Sequence, residues 1–395
     1  MQNKNIIERL KGFGFQHSDT VYSLRIQPEF IDKNTQVKIS NIRTEINSLT
    51  EIKKYCIRNE IDETFSNIQF LKKNPVIEIN GERIKPVDLN DWNCRINIAE
   101  ETKLNRENPI VISNLNDWQN KKKIFRYLKR FSFQKEGLPI RIDLSIVKTS
   151  RNSKKRLIPE YRIESSNIFQ NQENYEVEVE ILKSELKSLN IEEIRNQIKY
   201  IIKLIQSGIQ MTNYPISLRK MKQLEKEYLQ ILYGSKANIR QLYPKDFIGF
   251  SSISLEVQNL ISSKTTPNIL NNYSVTDKAD GIRKLLFIDS RGDMYFIDTN
   301  MNIENIAMKS KIKNTIIDGE HVLFDKVGNF INLYLAFDIY YVDGEDYRKY
   351  PLMKIQNLKY DYKIDKNKFR LDKLSSILKK LELKQNIEMK TPLRI

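Results

Sequence analysis

Tyr273-Ser-Val-Thr-Asp-Lys-Ala-Asp-Gly-Ile-Arg283 decides how the second half of this chain reads. A β-branched and aromatic run (Tyr273, Val275, Thr276) precedes Lys278, and Asp280-Gly281 supplies a turn signal directly after it. A second strand-like run, Leu285-Leu286-Phe287-Ile288, follows. The spacing predicts a lysine held between two strands beside a tight turn, with Arg283 close by. Burial and neighbouring cations lower a lysine pKa, and the neutral amine is a nucleophile for a nucleotide α-phosphate. An isolated Lys-x-Asp-Gly would read as a surface hairpin; the downstream segments decide the matter.

Thr315-Ile-Ile-Asp-Gly-Glu-His-Val322 reads as a strand, an Asp-Gly turn and a carboxylate, Glu320. Leu333-Tyr-Leu-Ala-Phe-Asp-Ile-Tyr-Tyr341 reads as an apolar strand broken by Asp338. A buried carboxylate there is costly unless it is paired or binds a metal. Lys278, Glu320 and Asp338, in this order, resemble motifs I, III and IIIa of the covalent nucleotidyltransferases, which include mRNA guanylyltransferases and ATP-dependent nucleic acid ligases.

Upstream, Tyr175-Glu-Val-Glu-Val-Glu-Ile181 alternates without error. In a strand, Glu176, Glu178 and Glu180 project from one face and Tyr175, Val177, Val179 and Ile181 from the other. Three carboxylates at about 7 Å intervals repel unless a cation faces them, and Mg²⁺ or Mn²⁺ takes oxygen ligands of this kind. A solvated edge strand is the plain alternative. Other strands are expected at Gln36–Ser40, Pro75–Ile79, Cys94–Ile98, Pro109–Ser113, Arg130–Phe133 and Arg141–Val147. By strand-face parity, Arg95, Lys129 and Arg141 are chosen to face a triphosphate, beside Asp143 and Ser145, with Arg126, Arg130 and Lys148 as further candidates. Helical periodicity covers Leu49 to Arg58, Ile191 to Ser207 and Leu218 to Tyr233, the last ending at Gly234. The mixed stretch from Ser235 to about Asn271 is the expected domain junction. A C-terminal strand is expected at Asn386–Lys390.

The chain has 395 residues, enough for two domains, with 40% hydrophobic and 29% charged residues. No apolar run approaches a membrane span, and the first residues lack a signal-peptide apolar core. Two cysteines and two histidines give no zinc-site spacing. The net charge of +16 suggests a polyanionic partner, nucleic acid before membrane. An Asn/Ile/Lys-rich composition explains the charge equally well.

Taken together, residues 1–235 resemble the tunnel-fold, metal-dependent RNA triphosphatases of large DNA viruses, found in poxvirus, asfarvirus and mimivirus capping enzymes. There a Glu-x-Glu-x-Glu strand precedes helices and then a Thr-Asp-Lys-Ala-Asp-Gly motif, as it does here. The resemblance implies an α+β chain in which an antiparallel β-barrel, the triphosphate tunnel, precedes a nucleotidyltransferase domain over residues 236–395. It implies removal of the γ-phosphate of 5′-triphosphate RNA with Mg²⁺ or Mn²⁺ held by Glu176, Glu178 and Glu180. It also implies GMP transfer from GTP through Lys278, with Arg283 and Glu320 on the nucleotide ribose or phosphates, Phe337 near the base and Asp338 positioning nucleotide or metal. Such enzymes work in the virion or the host cytoplasm, away from membranes.

Two departures qualify these expectations. The family's second glutamate pair, on the first barrel strand, has no counterpart in Gln36–Ile46, where Glu45 is the remaining candidate. The resemblance then implies a triphosphatase that is weakened, altered in metal use or inactive. Motifs IV and V and a methyltransferase domain do not follow, so a longer enzyme or a separate chain is expected to supply them, and without motifs IV and V this polypeptide by itself is expected to form the lysine–GMP intermediate poorly. The rival readings are an ATP-dependent ligase-like transferase and a non-catalytic RNA-binding subunit.

Overall fold

The computed structural model describes the chain except residues 1, 32–35, 78–80, 154–155, 183–189, 238–239, 264, 266–267, 271–272, 355–367, 382–383, 386–392 and 394. The strand expected at Asn386–Lys390 and the end of that at Pro75–Ile79 lie outside the described residues. The chain divides into two compact units, residues 1–205 and 206–395. Helix Leu218–Tyr233, expected before the junction, packs in the second unit.

The first unit is built on an antiparallel sheet. Its strands are β1 (Gln16–Ile31), β2 (Ile42–Ile46), β3 (Ile68–Pro75), β4 (Ala99–Leu104), β5 (Lys123–Gln134), β6 (Ile140–Thr149) and β7 (Asn174–Ile181). They pair in the order β7-β6-β5-β1-β2-β3-β4, and the short strand Val37–Ile39 joins the end of β1. Among the described residues the edges β7 and β4 do not pair, so a curled half-barrel stands where a closed barrel was expected. One face is apolar. Phe133, Ile142 and Leu144 pack against Ile6 and Leu10 of α1 (Gln2–Gly12) and Ile201, Leu204 and Ile205 of α4 (Ile191–Ile209). Leu24, Ile26, Ile46 and Phe125 continue that face against Ile52 and Tyr55 of α2 (Leu49–Arg58) and against Trp118. Strict alternation then commits the residues between them to the opposite, polar face.

Two sequence expectations fail locally in this unit. Pro109–Ser113 is not a strand but the start of helix α3 (Pro109–Asn116). Asn108 caps it, its side chain accepting from the Ile110 amide at 3.0 Å, and Pro109 sits in the first turn, so capping overrides the β-branched run. The strand at Cys94 is only Cys94–Ile96, and it pairs with Val87–Leu89 in a separate two-stranded sheet.

The second unit carries β8 (Ile282–Ile288), β9 (Asp293–Asp298), β10 (Ile303–Lys309), β11 (Thr315–Phe324) and β12 (Phe330–Val342), paired antiparallel in the order β12-β11-β8-β9-β10. Both faces are covered, which is why these strands read as near-continuous apolar runs. Leu285, Phe287 and Tyr340 pack with Leu224, Tyr228 and Leu229 of α5 (Leu218–Tyr233). Leu286, Ile288 and Ile339 pack with Leu374 and Ile377 of α6 (Arg370–Lys380). Asp318-Gly319 is not a turn; it lies inside β11. A Cβ at Gly319 would stand 2.5 Å from the Leu335 carbonyl oxygen and 2.6 Å from the Tyr334 ring, so the glycine admits the crossing of β12.

Candidate functional site

In the second unit the residues around Lys278 fall into an exposed segment and a fixed anchor. Residues 273–280 have no regular structure, and Lys278 is exposed with its Nζ 3.4 Å from the Ala279 carbonyl oxygen. This corrects the expectation of a lysine held between two strands. Val275 is 99% exposed and Tyr273 64%, so the apolar side chains that suggested a strand have no core to enter. Order begins at Gly281, where a Cβ would lie 2.9 Å from the His321 carbonyl oxygen.

Arg283, two residues on, is the anchor. Its Nε and Nη2 donate to Asp318 at 3.2 and 2.6 Å, and its Nη1 donates to the Phe250 carbonyl. Tyr340 donates its hydroxyl to the same carboxylate at 2.6 Å. The hydrogen bond to Asp318 raises the guanidinium pKa above its ordinary value, and burial pushes the Tyr340 phenol upward. The guanidinium lies 5.4 Å from the Phe247 ring centroid and 5.9 Å from that of Phe337. A planar, permanently charged group between aromatic rings suits a nucleotide's phosphate or base.

Glu320 sits opposite Arg283 in the β8–β11 register and is half-buried, yet Asp318 takes the guanidinium. Sequence reasoning missed Asp318 because it treated Asp-Gly as a turn. Phe337 is 42% exposed beside Arg283. Asp338 is buried, and Arg370 of α6 answers it with bonds of 2.8 and 3.0 Å while also donating to the Tyr350 carbonyl. Its burial is thus compensated by a cation of the protein itself.

In the first unit, the register places Glu176, Glu178 and Glu180 opposite Ser145, Asp143 and Arg141. Those three face Arg130, Ser132 and Gln134 of β5, and Arg126 and Arg130 face Arg25 and Val21 of β1. Glu45 of β2 lies opposite Arg25. The result is one continuous polar face. Its arginines pair with its carboxylates: Arg126 with Glu176, Arg130 with Glu178 at 3.0 Å, and Arg141 with Glu180 at 2.5 Å and Asp143 at 3.1 Å. Glu45 lies between the Nε atoms of Arg25 at 2.8 Å and Arg43 at 2.6 Å. On this face the Arg25 and Glu45 side chains are only 14% and 9% exposed. Burial, together with Arg43, Arg130 and Arg126, lowers the Arg25 pKa, and Glu45 opposes the shift.

Two of the chosen cations lie elsewhere. Lys129 has odd parity relative to Arg126 and Arg130, and its Nζ sits over Tyr22 and Phe131 on the apolar face. Arg95 lies on the separate hairpin and pairs with Asp88 at 2.6 Å. Lys148 shares the face of Lys129 and donates to the Phe169 carbonyl. Arg25 and Arg43 were not anticipated; the alternation of Tyr22-Ser-Leu-Arg-Ile26 carried the signal for the first.

A divalent cation on this face would need carboxylates converging on one point. Glu176, Glu178 and Glu180 instead each take a guanidinium, Glu45 takes two, and among the described residues no three acidic, histidine or cysteine side chains form a metal-holding group. Carboxylate oxygens are the donors that Mg²⁺ or Mn²⁺ takes, but here they are held apart by the protein's own guanidiniums rather than gathered on one point.

Residues 201–380 match the family model of the mRNA capping enzyme, catalytic domain. The chain is 27% identical over 273 residues to a probable mRNA-capping enzyme of Acanthamoeba polyphaga mimivirus, covering 67% of this chain and 20% of the relative. It is 32% identical over 109 residues to an mRNA-capping enzyme of Danio rerio, covering 25% of this chain and 17% of the relative. The chain therefore spans about a fifth of the length of each of these relatives. By its catalytic-domain match and by both relatives the chain resembles mRNA capping enzymes, and by the longer match, to the mimivirus protein, those of viral type.

Proposed function

We propose that the chain serves mRNA 5′ capping and that its second unit transfers GMP through Lys278. The deprotonated Nζ attacks the α-phosphorus of GTP. A nitrogen–phosphorus bond forms, the bond to the β-phosphate oxygen breaks, and pyrophosphate leaves. The 5′-diphosphate end of an RNA then attacks the same phosphorus, the nitrogen–phosphorus bond breaks, and the lysine recovers its proton. Arg283 holds the phosphates or ribose in the orientation set by Asp318 and Tyr340. Phe337 lies against the base, and Glu320, the carboxylate that Arg283 leaves unclaimed, faces the ribose. Asp338 acts indirectly, by holding Arg370.

The observation that supports this reading best is the anchored Arg283, a few residues from Lys278 inside the stretch that matches the catalytic domain. Lys278 itself stands exposed, so the incoming nucleotide completes its surroundings. For the first unit the resemblance implies metal-dependent removal of the γ-phosphate. The arginine-lined face supports the phosphate-holding part of that reading; its paired carboxylates do not support the metal-holding part.

Incubation with α-³²P-GTP or α-³²P-ATP tests the proposal. Acid-labile GMP label on wild type and none on Lys278→Ala is the expected outcome. AMP label would move the chain to the ligases, and no label on either would leave an RNA-binding subunit.

A further inference from the structure

We propose that the polar face of the first unit is a metal-independent receptor for a chain of phosphates, in which Arg25, Arg43, Arg126 and Arg130 supply the charge that a divalent cation would otherwise supply. The inference deepens the phosphate-holding reading of this unit and departs from its metal-dependent version.

Three observations carry it. The first is the composition of the face at its centre. Across β1, β2 and β5 the residues of this face are Val21, Ser23, Arg25, Arg43, Glu45, Arg126, Leu128 and Arg130, so these three strands bring four guanidiniums and one carboxylate; Arg25 and Arg43 share Glu45, while Arg126 and Arg130 reach Glu176 and Glu178 of β7. Burial is the main cause of the lowered Arg25 pKa, with Arg43, Arg130 and Arg126 acting in the same direction and Glu45 against it.

The second is a concentration of unmet polar atoms. The buried Ser23 Oγ, Arg130 Nε and Ser145 Oγ have no hydrogen-bond partner, and all three lie on this face. Ser23 and Ser145 are 2% and 4% exposed. Buried donors without partners are rare in folded proteins, and a phosphate chain, rich in acceptor oxygens, is the ligand that satisfies several at once.

The third is space. A cavity of about 430 Å³ opens beside this centre, lined by Gln27, Ser40, Asn41, Arg43, Lys73 and Glu101, the last a carboxylate 3.5 Å from Arg43 that a phosphate would have to displace. That is within the range of small-ligand sites, roughly 300–1,000 Å³. It leaves room for the nucleoside that carries the phosphates. The carboxylates of β7 belong to the same system as competitors: Glu176 and Glu178 occupy Arg126 and Arg130 until a phosphate displaces them.

Calorimetric titration of the full chain with sodium tripolyphosphate, in EDTA and then with Mn²⁺, tests this. Binding is expected in EDTA and is not strengthened by Mn²⁺. Arg43→Ala should weaken it about tenfold or more, and Arg43→Lys by less, because the charge stays and the fork is lost. The combined variant Glu176→Gln, Glu178→Gln, Glu180→Gln should bind several-fold tighter, a gain that misfolding cannot mimic. In parallel, a 5′-triphosphate RNA should bind tighter than the same RNA with a 5′-hydroxyl, in EDTA. Binding that appears only with Mn²⁺, or is lost in the glutamine variant, overturns the proposal. Equal binding of the two RNAs overturns it as well, by moving recognition to the RNA backbone. Manganese-dependent phosphate release abolished by Glu178→Gln would do the same. GMP labelling of Lys278 is a separate readout, so its failure leaves these results standing.

Discussion

Arg283 owes its orientation to Asp318, a fully buried carboxylate that also accepts from Tyr340. Removing it leaves a half-buried cation unpaired, so Asp318→Ala should lower stability by about 3 kcal/mol, measured by denaturant unfolding. Tyr340→Phe deletes one hydrogen bond to the same carboxylate and should cost about 1 kcal/mol or slightly more. An equal, negligible effect of both would show that the pair does not anchor Arg283. On the other face of β11, His321 is buried, its Nε2 2.8 Å from Asn332 Oδ1 and its Nδ1 3.4 Å from Lys284 Nζ. Burial lowers its pKa, with Lys284 acting in the same direction and Asn332 and Glu304 against it. The neutral ring is favoured in the fold, and the unfolded chain takes up the proton first. Its contribution is therefore complete above about pH 6.5, the ordinary imidazole value, and is lost as pH falls through the lower folded value. His321→Gln should flatten the acid limb of the stability profile below about pH 6.5, read from melting temperatures. An unchanged acid limb would assign that limb to carboxylates.

At the scale of elements, alternation was a dependable guide where one face is polar. β5, β6 and β7 are the strands that Arg130–Phe133, Arg141–Val147 and Tyr175–Ile181 foretold, and α5 has the bounds that its periodicity and Gly234 set. β1 was less visible, because Asp19, Arg25 and Pro28 interrupt the apolar pattern that would have marked its whole length. Lys129 was misplaced for a simpler reason: it was grouped by charge with Arg126 and Arg130, although its parity differs. In α3 a cap outweighed propensity, so Asn108→Ala should destabilise by about 1 kcal/mol, measurable as a shift in urea midpoint. In β11 the close approach of β12 admits no side chain at position 319. Gly319→Ala should reduce the yield of folded protein and lower melting temperature, whereas wild-type behaviour would mean that β12 can move aside.

Across the whole molecule, a net charge of +16 meets a polyanionic substrate class in both proposed roles. RNA affinity should fall by about tenfold or more between about 50 mM and about 200 mM salt in a binding titration, and a flat response would remove the electrostatic basis for RNA as partner. The nucleotidyltransferase character was legible from Lys278 to Asp338 because its motifs are short and ordered along the chain. The closed barrel was an expectation that went too far, because closure depends on the pairing of distant edges, which alternation does not encode, and among the described residues those edges do not pair. Among the described residues no helix is long and apolar enough to cross a membrane. The measurement that reaches the central claim most directly is gel autoradiography of wild type and Lys278→Ala after incubation with α-³²P-GTP and α-³²P-ATP. Acid-labile GMP on wild type alone is the predicted result, whereas equal label on the variant, or AMP in place of GMP, would contradict it.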